Sequence, residues 1–185
     1  MSALTIYPET QPQQGTTHRD FAAIAEQLKS IGVQFERWEP SSEFVSEAEV
    51  QSVMDAYQAD INRLMQQYGF KSVDVVSLKP DYPERHAMRQ KFLSEHTHSD
   101  FEVRFFVEGQ GLFYLHVADK VYAILCERGD LISVPANVKH WFDMGEKPDF
   151  KCIRLFTTPE GWVAEYTGDK IADDFPRFEQ YLTAL

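Results

Sequence analysis

Cysteine is scarce in this chain: two residues in 185, Cys126 and Cys152. They lie far apart and lack CxxC spacing. This argues against a disulfide framework, and a reducing cytoplasm is the expected setting, with both thiols buried. Long apolar runs are also missing. No segment approaches the roughly 20 apolar residues that cross a bilayer. Met1-Ser2-Ala3-Leu4-Thr5 has no basic region leading into an apolar run, so no signal peptide is expected. Cations are outnumbered, with 18 Lys and Arg against 29 Asp and Glu, a net charge of −11 spread along the chain. That balance argues against nucleic acid and anionic membranes as partners and favours solubility. No repeat or low-complexity stretch is evident. Aromatics, by contrast, are plentiful, with 14 Phe, 8 Tyr and 3 Trp, and the length suits one domain with a real core.

The most informative stretch is Glu95-His96-Thr97-His98-Ser99-Asp100-Phe101-Glu102, followed about forty residues on by Gly129, Pro135 and His140. Neutral imidazoles suit iron, nickel, zinc and copper, and one carboxylate adds a hard anionic donor. Side chains two apart on a strand point the same way. His96, His98, Glu102 and Arg104 share parity, so one strand face is expected to carry all four unless a bulge intervenes. His140 arrives from another strand and completes the set. Four protein donors leave two positions open on an octahedral ion, which implies a site for substrate or dioxygen rather than a structural plug.

The periodicity predicts a helical front and a strand-rich back. A short strand is expected near 4–7, and a helix carrying Phe21, Ile24, Ala25 and Leu28 that ends near Gly32. Val33 to Trp38 reads as extended. Ser46-Glu47-Ala48-Glu49 reads as a capping box for a second helix. Its stripe is Val50, Val53, Met54, Tyr57, Ile61, Leu64 and Met65, and Gly69 ends it. Ser72 to Leu78 reads as a strand, and the region 80–90, with Pro80 and Pro83, as a loop containing His86. Strands follow at about 101–108, 111–118, 121–126, 131–134, 139–143 and 151–157. The turns between them carry Gly109-Gln110-Gly111, Ala118-Asp119-Lys120 and Arg128-Gly129-Asp130. The expectation is a mainly β fold, an antiparallel barrel of the jelly-roll kind with the N-terminal helices packed outside. One domain spans 1–185: a helical part to about 80, a metal-binding barrel over about 81–170 and a tail from about 171. His116 reads as a core or surface histidine.

These residues carry a resemblance. His96-x-His98-x3-Glu102-x6-Gly109 and Gly129-x5-Pro135-x-Asn137-x2-His140 resemble the two cupin motifs, with Gln90 and Asn137 where those motifs often have glycine. Within the cupins, Phe92-Leu93-Ser94-Glu95-His96-Thr97-His98 and Glu102-Val103-Arg104-Phe105-Phe106-Val107-Glu108-Gly109 strongly resemble the acireductone dioxygenase family. So do Asp130-Leu131-Ile132-Ser133-Val134-Pro135, His140-Trp141-Phe142-Asp143-Met144-Gly145, Pro159-Glu160-Gly161-Trp162 and Thr167-Gly168-Asp169.

The resemblance implies a methionine-salvage enzyme that cleaves 1,2-dihydroxy-3-keto-5-methylthiopentene with O2. With Fe(2+) the products are 4-methylthio-2-oxobutanoate and formate. With Ni(2+) in the same ligands they are 3-methylthiopropanoate, formate and carbon monoxide. It implies His96, His98, Glu102 and His140 as metal ligands, one ion per chain, and a metal-loading role for Glu95. Arg104 is given a part in forming the substrate dianion. Charge supports that part: a divalent ion with one carboxylate carries +1, a dianion brings it to −1, and one guanidinium restores zero. Phe92, Phe142, Phe106 and Phe113 are the candidates for a dry pocket around the methylthio tail, with Trp162 beside them. Phe101 stands where some relatives are acidic. A monomer is expected. The bare ligand set also fits a sugar or sugar-phosphate isomerase, or a non-catalytic cupin that binds a metal or small molecule.

Overall fold

The structure is a computed structural model that describes residues 1–42, 49–158 and 163–185. Its elements in chain order are β1 (Ala3–Pro8), β2 (Thr16–His18), α1 (Phe21–Lys29), β3 (Gln34–Arg37), α2 (Val50–Ala56), α3 (Gln58–Tyr68), β4 (Ser72–Leu78) and α4 (Arg85–Leu93). Then come β5 (His96–Thr97), β6 (Glu102–Val117), β7 (Lys120–Glu127), β8 (Asp130–Val134), β9 (Lys139–Asp143), β10 (Phe150–Phe156), β11 (Glu165–Tyr166) and α5 (Phe178–Ala184). The expected capping box depends on Ser46, Glu47 and Ala48, which lie outside the described residues, as does Trp162.

All strand pairs are antiparallel. They form two sheets, β11-β5-β9-β6-β7-β1-β2 and β4-β10-β6-β8-β3, joined by β6. The sequence reading expected a turn at Gly109-Gln110-Gly111. The structure instead carries one strand through it. Residues before Gly109 pair with β8 and β10, and residues after it pair with β7 and β9. Gly109 adopts φ +74°, and a Cβ there would collide with the Asp149 carbonyl. Strands pass from one sheet to another through such bends.

The bend also reverses side-chain parity. Phe106 before it and Phe113 after it both join the interior cluster, while Val103, Phe105 and Val107 face outward on one sheet and Leu112 and Tyr114 on the other. The outward faces are covered as well. Val53, Tyr57, Ile61 and Leu64 of the second helical region pack on Phe105 and Ile153, and Phe175 and Tyr181 pack with Tyr114 and Trp141. Both faces of the central strands are therefore apolar, and these strands read as continuous hydrophobic runs rather than alternating ones.

The single helix expected between the Ser46 cap and Gly69 is, over the described residues, two helices broken at Tyr57 (φ −115°, ψ 15°). The Tyr57 ring is buried edge-on to Phe105, centroids 4.6 Å apart. An apolar stripe that continues in register across such a break hides it from periodicity. Gly69 ends α3 in the left-handed region as expected (φ 72°). In α1, Asp20 Oδ1 accepts from the Ala23 N–H at 3.0 Å. Ile24 and Leu28 of α1 reach the interior cluster, whereas α2 and α3 lie on a sheet's outer face.

The expected loop over 80–90 contains α4, and His86 lies exposed in its first turn. Gln90 is within this helix, not in a turn. Four strands of the first 80 residues, β1 to β4, also belong to the sheets, so the helical front supplies part of the barrel. Among the described residues no helix is long and apolar enough to cross a membrane.

Candidate metal centre

Three strands, β5, β9 and β6, and one turn bring the ligand candidates together. His96 on β5 pairs directly with His140 on β9. His98 follows β5, and Glu102 opens β6, opposite Val134 of β8. The expectation of one strand face carrying His96, His98 and Glu102 is therefore corrected. The chain turns between His98 and Glu102, where Asp100 accepts from the Phe101 N–H at 2.7 Å and the Thr157 N–H at 2.9 Å. Parity does hold within β6, where Glu102 and Arg104 face the same way. The second motif's turn depends on Asn137, which takes φ +65° and donates its N–H to the His98 carbonyl at 2.8 Å. Asparagine tolerates that left-handed conformation better than most residues, so it can stand where glycine is common.

One donor atom from each of His96, His98, Glu102 and His140 lies within 4.8 Å of the others, and all four residues are buried. Each histidine presents Nδ1 to a carbonyl: His96 to Ser94 at 2.7 Å, His98 to Val163 at 2.9 Å and His140 to Val138 at 2.7 Å. A carbonyl only accepts, so Nδ1 carries the proton and Nε2 is left to face the cluster. Glu102 Oε2 lies 3.1 Å from His98 Nε2 and 3.0 Å from His140 Nε2. Adjacent ligands at about 2.1 Å from one octahedral ion are about 3.0 Å apart. The donor set and its spacing thus fit a divalent transition ion.

Electrostatics favour the ligating form of His96 and Glu102 and act the other way on His98. Burial pushes His96 down to about 4, and the neighbouring His140 adds to that. Burial opposes ionisation of Glu102 too, but the Arg104 charge and the contacts with His140 and His98 outweigh it and hold the carboxyl well below its usual range. Burial pushes His98 down, and its contact with the Glu102 carboxylate more than offsets this, so it is raised. Arg104 Nη2 donates to Glu102 Oε1 at 2.9 Å. Its guanidinium lies over Phe142 at 4.6 Å and Phe113 at 5.4 Å.

A cavity of about 180 Å³ opens onto three of the donor residues, His96, His98 and Glu102. Arg104, Phe92 and Phe142 line it. Phe106 and Phe113 do not: they lie in the packed interior, Phe113 against Phe142 at 4.7 Å. The reversal of parity at Gly109 turns Phe113 inward, where it packs against Phe142 and under the Arg104 guanidinium. Sequence reasoning missed Lys91, Arg154 and Tyr166, which also line the cavity. Arg154 pairs directly opposite Arg104 and is held by Asp74 at 2.6 and 2.9 Å. Nothing in local spacing marks a residue fifty positions downstream as a neighbour.

Glu95 is outside the ring of donors. Its side chain is buried, with Oε2 accepting from His116 Nδ1 at 2.7 Å and Oε1 from Thr167 Oγ1 at 2.8 Å. His116 is thus a partly buried partner of Glu95, not a ligand. His86 lies away from the cavity lining. Phe101 packs near Tyr68, centroids 6.0 Å apart.

A model of the ARD/ARD' family matches residues 3–164. The acireductone dioxygenase of Methylococcus capsulatus is 59% identical over 182 residues, covering 98% of each chain. That of Aquifex aeolicus is 55% identical over 183 residues, covering 97% of this chain and 98% of its own. Among solved structures, the acireductone dioxygenase from Bacillus anthracis with a cadmium ion in its active centre superposes with a TM-score of 0.78. It is 28% identical, over 90% of this chain and 98% of that one.

Proposed function

The chain belongs to the ARD/ARD' family, the acireductone dioxygenases, and from that premise we propose how its residues divide the work. It is a metal-dependent dioxygenase that cleaves an acireductone with O2, an activity that serves methionine salvage. The observation that carries the assignment of residues is the convergence of four buried donors within 4.8 Å. His96, His98 and His140 through Nε2, and Glu102 through its carboxylate, would hold one ion per chain, Fe(II) or Ni(II). Three imidazoles and one carboxylate suit both, and availability decides between them. When bound, the ion supplies a Lewis acid and a template for adjacent substrate oxygens.

The protein's own groups do the rest. Arg104 faces the cavity from beside Glu102, where its positive charge favours ionisation of the enediol and its donors hold an enediolate oxygen. Phe92 and Phe142 form the apolar wall against which the methylthio tail rests, so that water is excluded from that side. The cavity is smaller than the roughly 300 Å³ that drug-sized ligands begin to need, and so suits a substrate of about ten non-hydrogen atoms. Carbonyls at Ser94, Val163 and Val138 keep the imidazole protons on Nδ1, away from the ion. All these groups come from one chain, which supports a single domain working as a monomer. Two buried thiols support a cytoplasmic setting.

The metal content of protein isolated from its own host, with products assayed alongside, tests this. Iron should accompany 4-methylthio-2-oxobutanoate and formate; nickel should accompany 3-methylthiopropanoate, formate and carbon monoxide. Protein that turns over the acireductone while holding neither ion would contradict the assignment.

A further inference from the structure

The three histidines of the ring are held in place differently. His96 and His140 each use a carbonyl two residues back in their own chain, Ser94 and Val138. His98 depends on Val163, 65 residues away. Val163 begins a short strap over residues 163–167 that lies along the β5 edge. In it Glu165 pairs with Thr97 and Tyr166 with His96. At its far end the Thr167 N–H donates to the Glu95 carbonyl at 3.1 Å, and Thr167 Oγ1 donates to Glu95 Oε1 at 2.8 Å. Glu95 is only 1% exposed. It precedes His96, so its side chain turns away from the ring, and its second oxygen is taken by His116.

We infer that Thr167 and Glu95 are positioning residues for the metal: their hydrogen bond anchors the 163–167 strap, and the strap's Val163 carbonyl fixes the ring orientation and proton of His98. This rests on the reading of the four-residue ring as the metal site. It gives Glu95 a route to the ion that needs no ligation. An imidazole ligand whose second nitrogen loses its partner binds metal about 10–100-fold more weakly. Here the partner remains but its support slackens, which puts the effect at the lower end. Thr167 is exposed, so replacing it removes the hydroxyl without disturbing the core.

The test compares Thr167→Val, Thr167→Ala and Thr167→Ser with the unsubstituted chain. Ni(II) affinity is read by competition with a chromophoric chelator. Solvent exchange of the imidazole Nδ1 protons is read in zinc-loaded protein labelled with 15N-histidine. Thr167→Val should weaken Ni(II) binding about tenfold and speed exchange at His98 while leaving His140 unchanged. Thr167→Ser should restore both. Thr167→Ala removes the same hydroxyl without branching and should match Thr167→Val. Unchanged Ni(II) affinity in both Val and Ala variants, or equal acceleration at all three histidines, overturns the inference. An unsubstituted chain that binds no Ni(II) overturns the metal-site reading and the inference with it, so the two failures are told apart.

Discussion

Replacing Arg104 by methionine removes a buried cation while keeping most of the side-chain volume. Arg104 Nη2 lies 2.9 Å from Glu102 Oε1, with both side chains less than a tenth exposed. Removing one partner of a buried ion pair costs about 3–5 kcal/mol. Glu102 keeps its contacts with His98 and His140, which places the loss near 3 kcal/mol. At about 2–4 °C per kcal/mol for a domain of this size, the metal-free midpoint should fall by about 6–12 °C. A bound divalent ion compensates the Glu102 carboxylate directly, so the metal-loaded protein should lose less than half as much. Turnover at saturating metal should drop about 10²–10³-fold, the scale seen when one donor to a developing anion is removed. Differential scanning calorimetry of both forms, with metal analysis and an oxygen-electrode assay, reads all three. Equal midpoint losses with and without metal would mean that Arg104 does not balance Glu102, and full turnover would remove its role in forming the dianion.

Three further outcomes follow from the same geometry. His98→Ala should fold by circular dichroism yet lose its ion by elemental analysis; undiminished occupancy would mean that the ligand set is wrong. Cys126 and Cys152 are fully buried, and burial pushes Cys126 up and Cys152 up to about 12. A thiol reagent at neutral pH should therefore label neither in the native protein and both after denaturation, and rapid native labelling would contradict their burial. Asn137→Gly should leave the thermal midpoint unchanged or raised. Asn137→Val should cost about 1–2 kcal/mol, because a branched side chain resists a positive φ; equal midpoints for the two variants would contradict that.

The ligand ring was legible because three of its four members lie within seven residues, and because donor chemistry constrains residue type more tightly than packing does. The reasoning by parity succeeded for Glu102 and Arg104, which share β6, and failed across His98 to Glu102, where the chain turns. Phe106 keeps the inward parity of Glu102 and Arg104 but is packed into the interior away from the cavity, and Phe113, beyond the bend at Gly109, turns inward on an odd position. Strands covered on both faces show no alternation, so the passage of β6 between two sheets was read as a turn on glycine alone. Helix α4 was missed for a related reason. Its buried face includes Arg89, which makes a bidentate pair with Asp143 at 2.7 and 3.0 Å, and a buried guanidinium breaks the apolar stripe that identifies a helix. Arg154, Tyr166 and Thr167 reach the site only through long-range pairing of β10 with β6 and β11 with β5, which no local pattern encodes.

The most direct test of the central claim is the loss of acireductone by the metal-stripped chain reloaded with Fe(II) or with Ni(II), followed with and without dioxygen. Loss should require both the ion and dioxygen, with one O2 consumed per acireductone, and carbon monoxide should appear only in the nickel-loaded protein. No oxygen-dependent loss with either ion would contradict the assignment of a dioxygenase centre to His96, His98, Glu102 and His140.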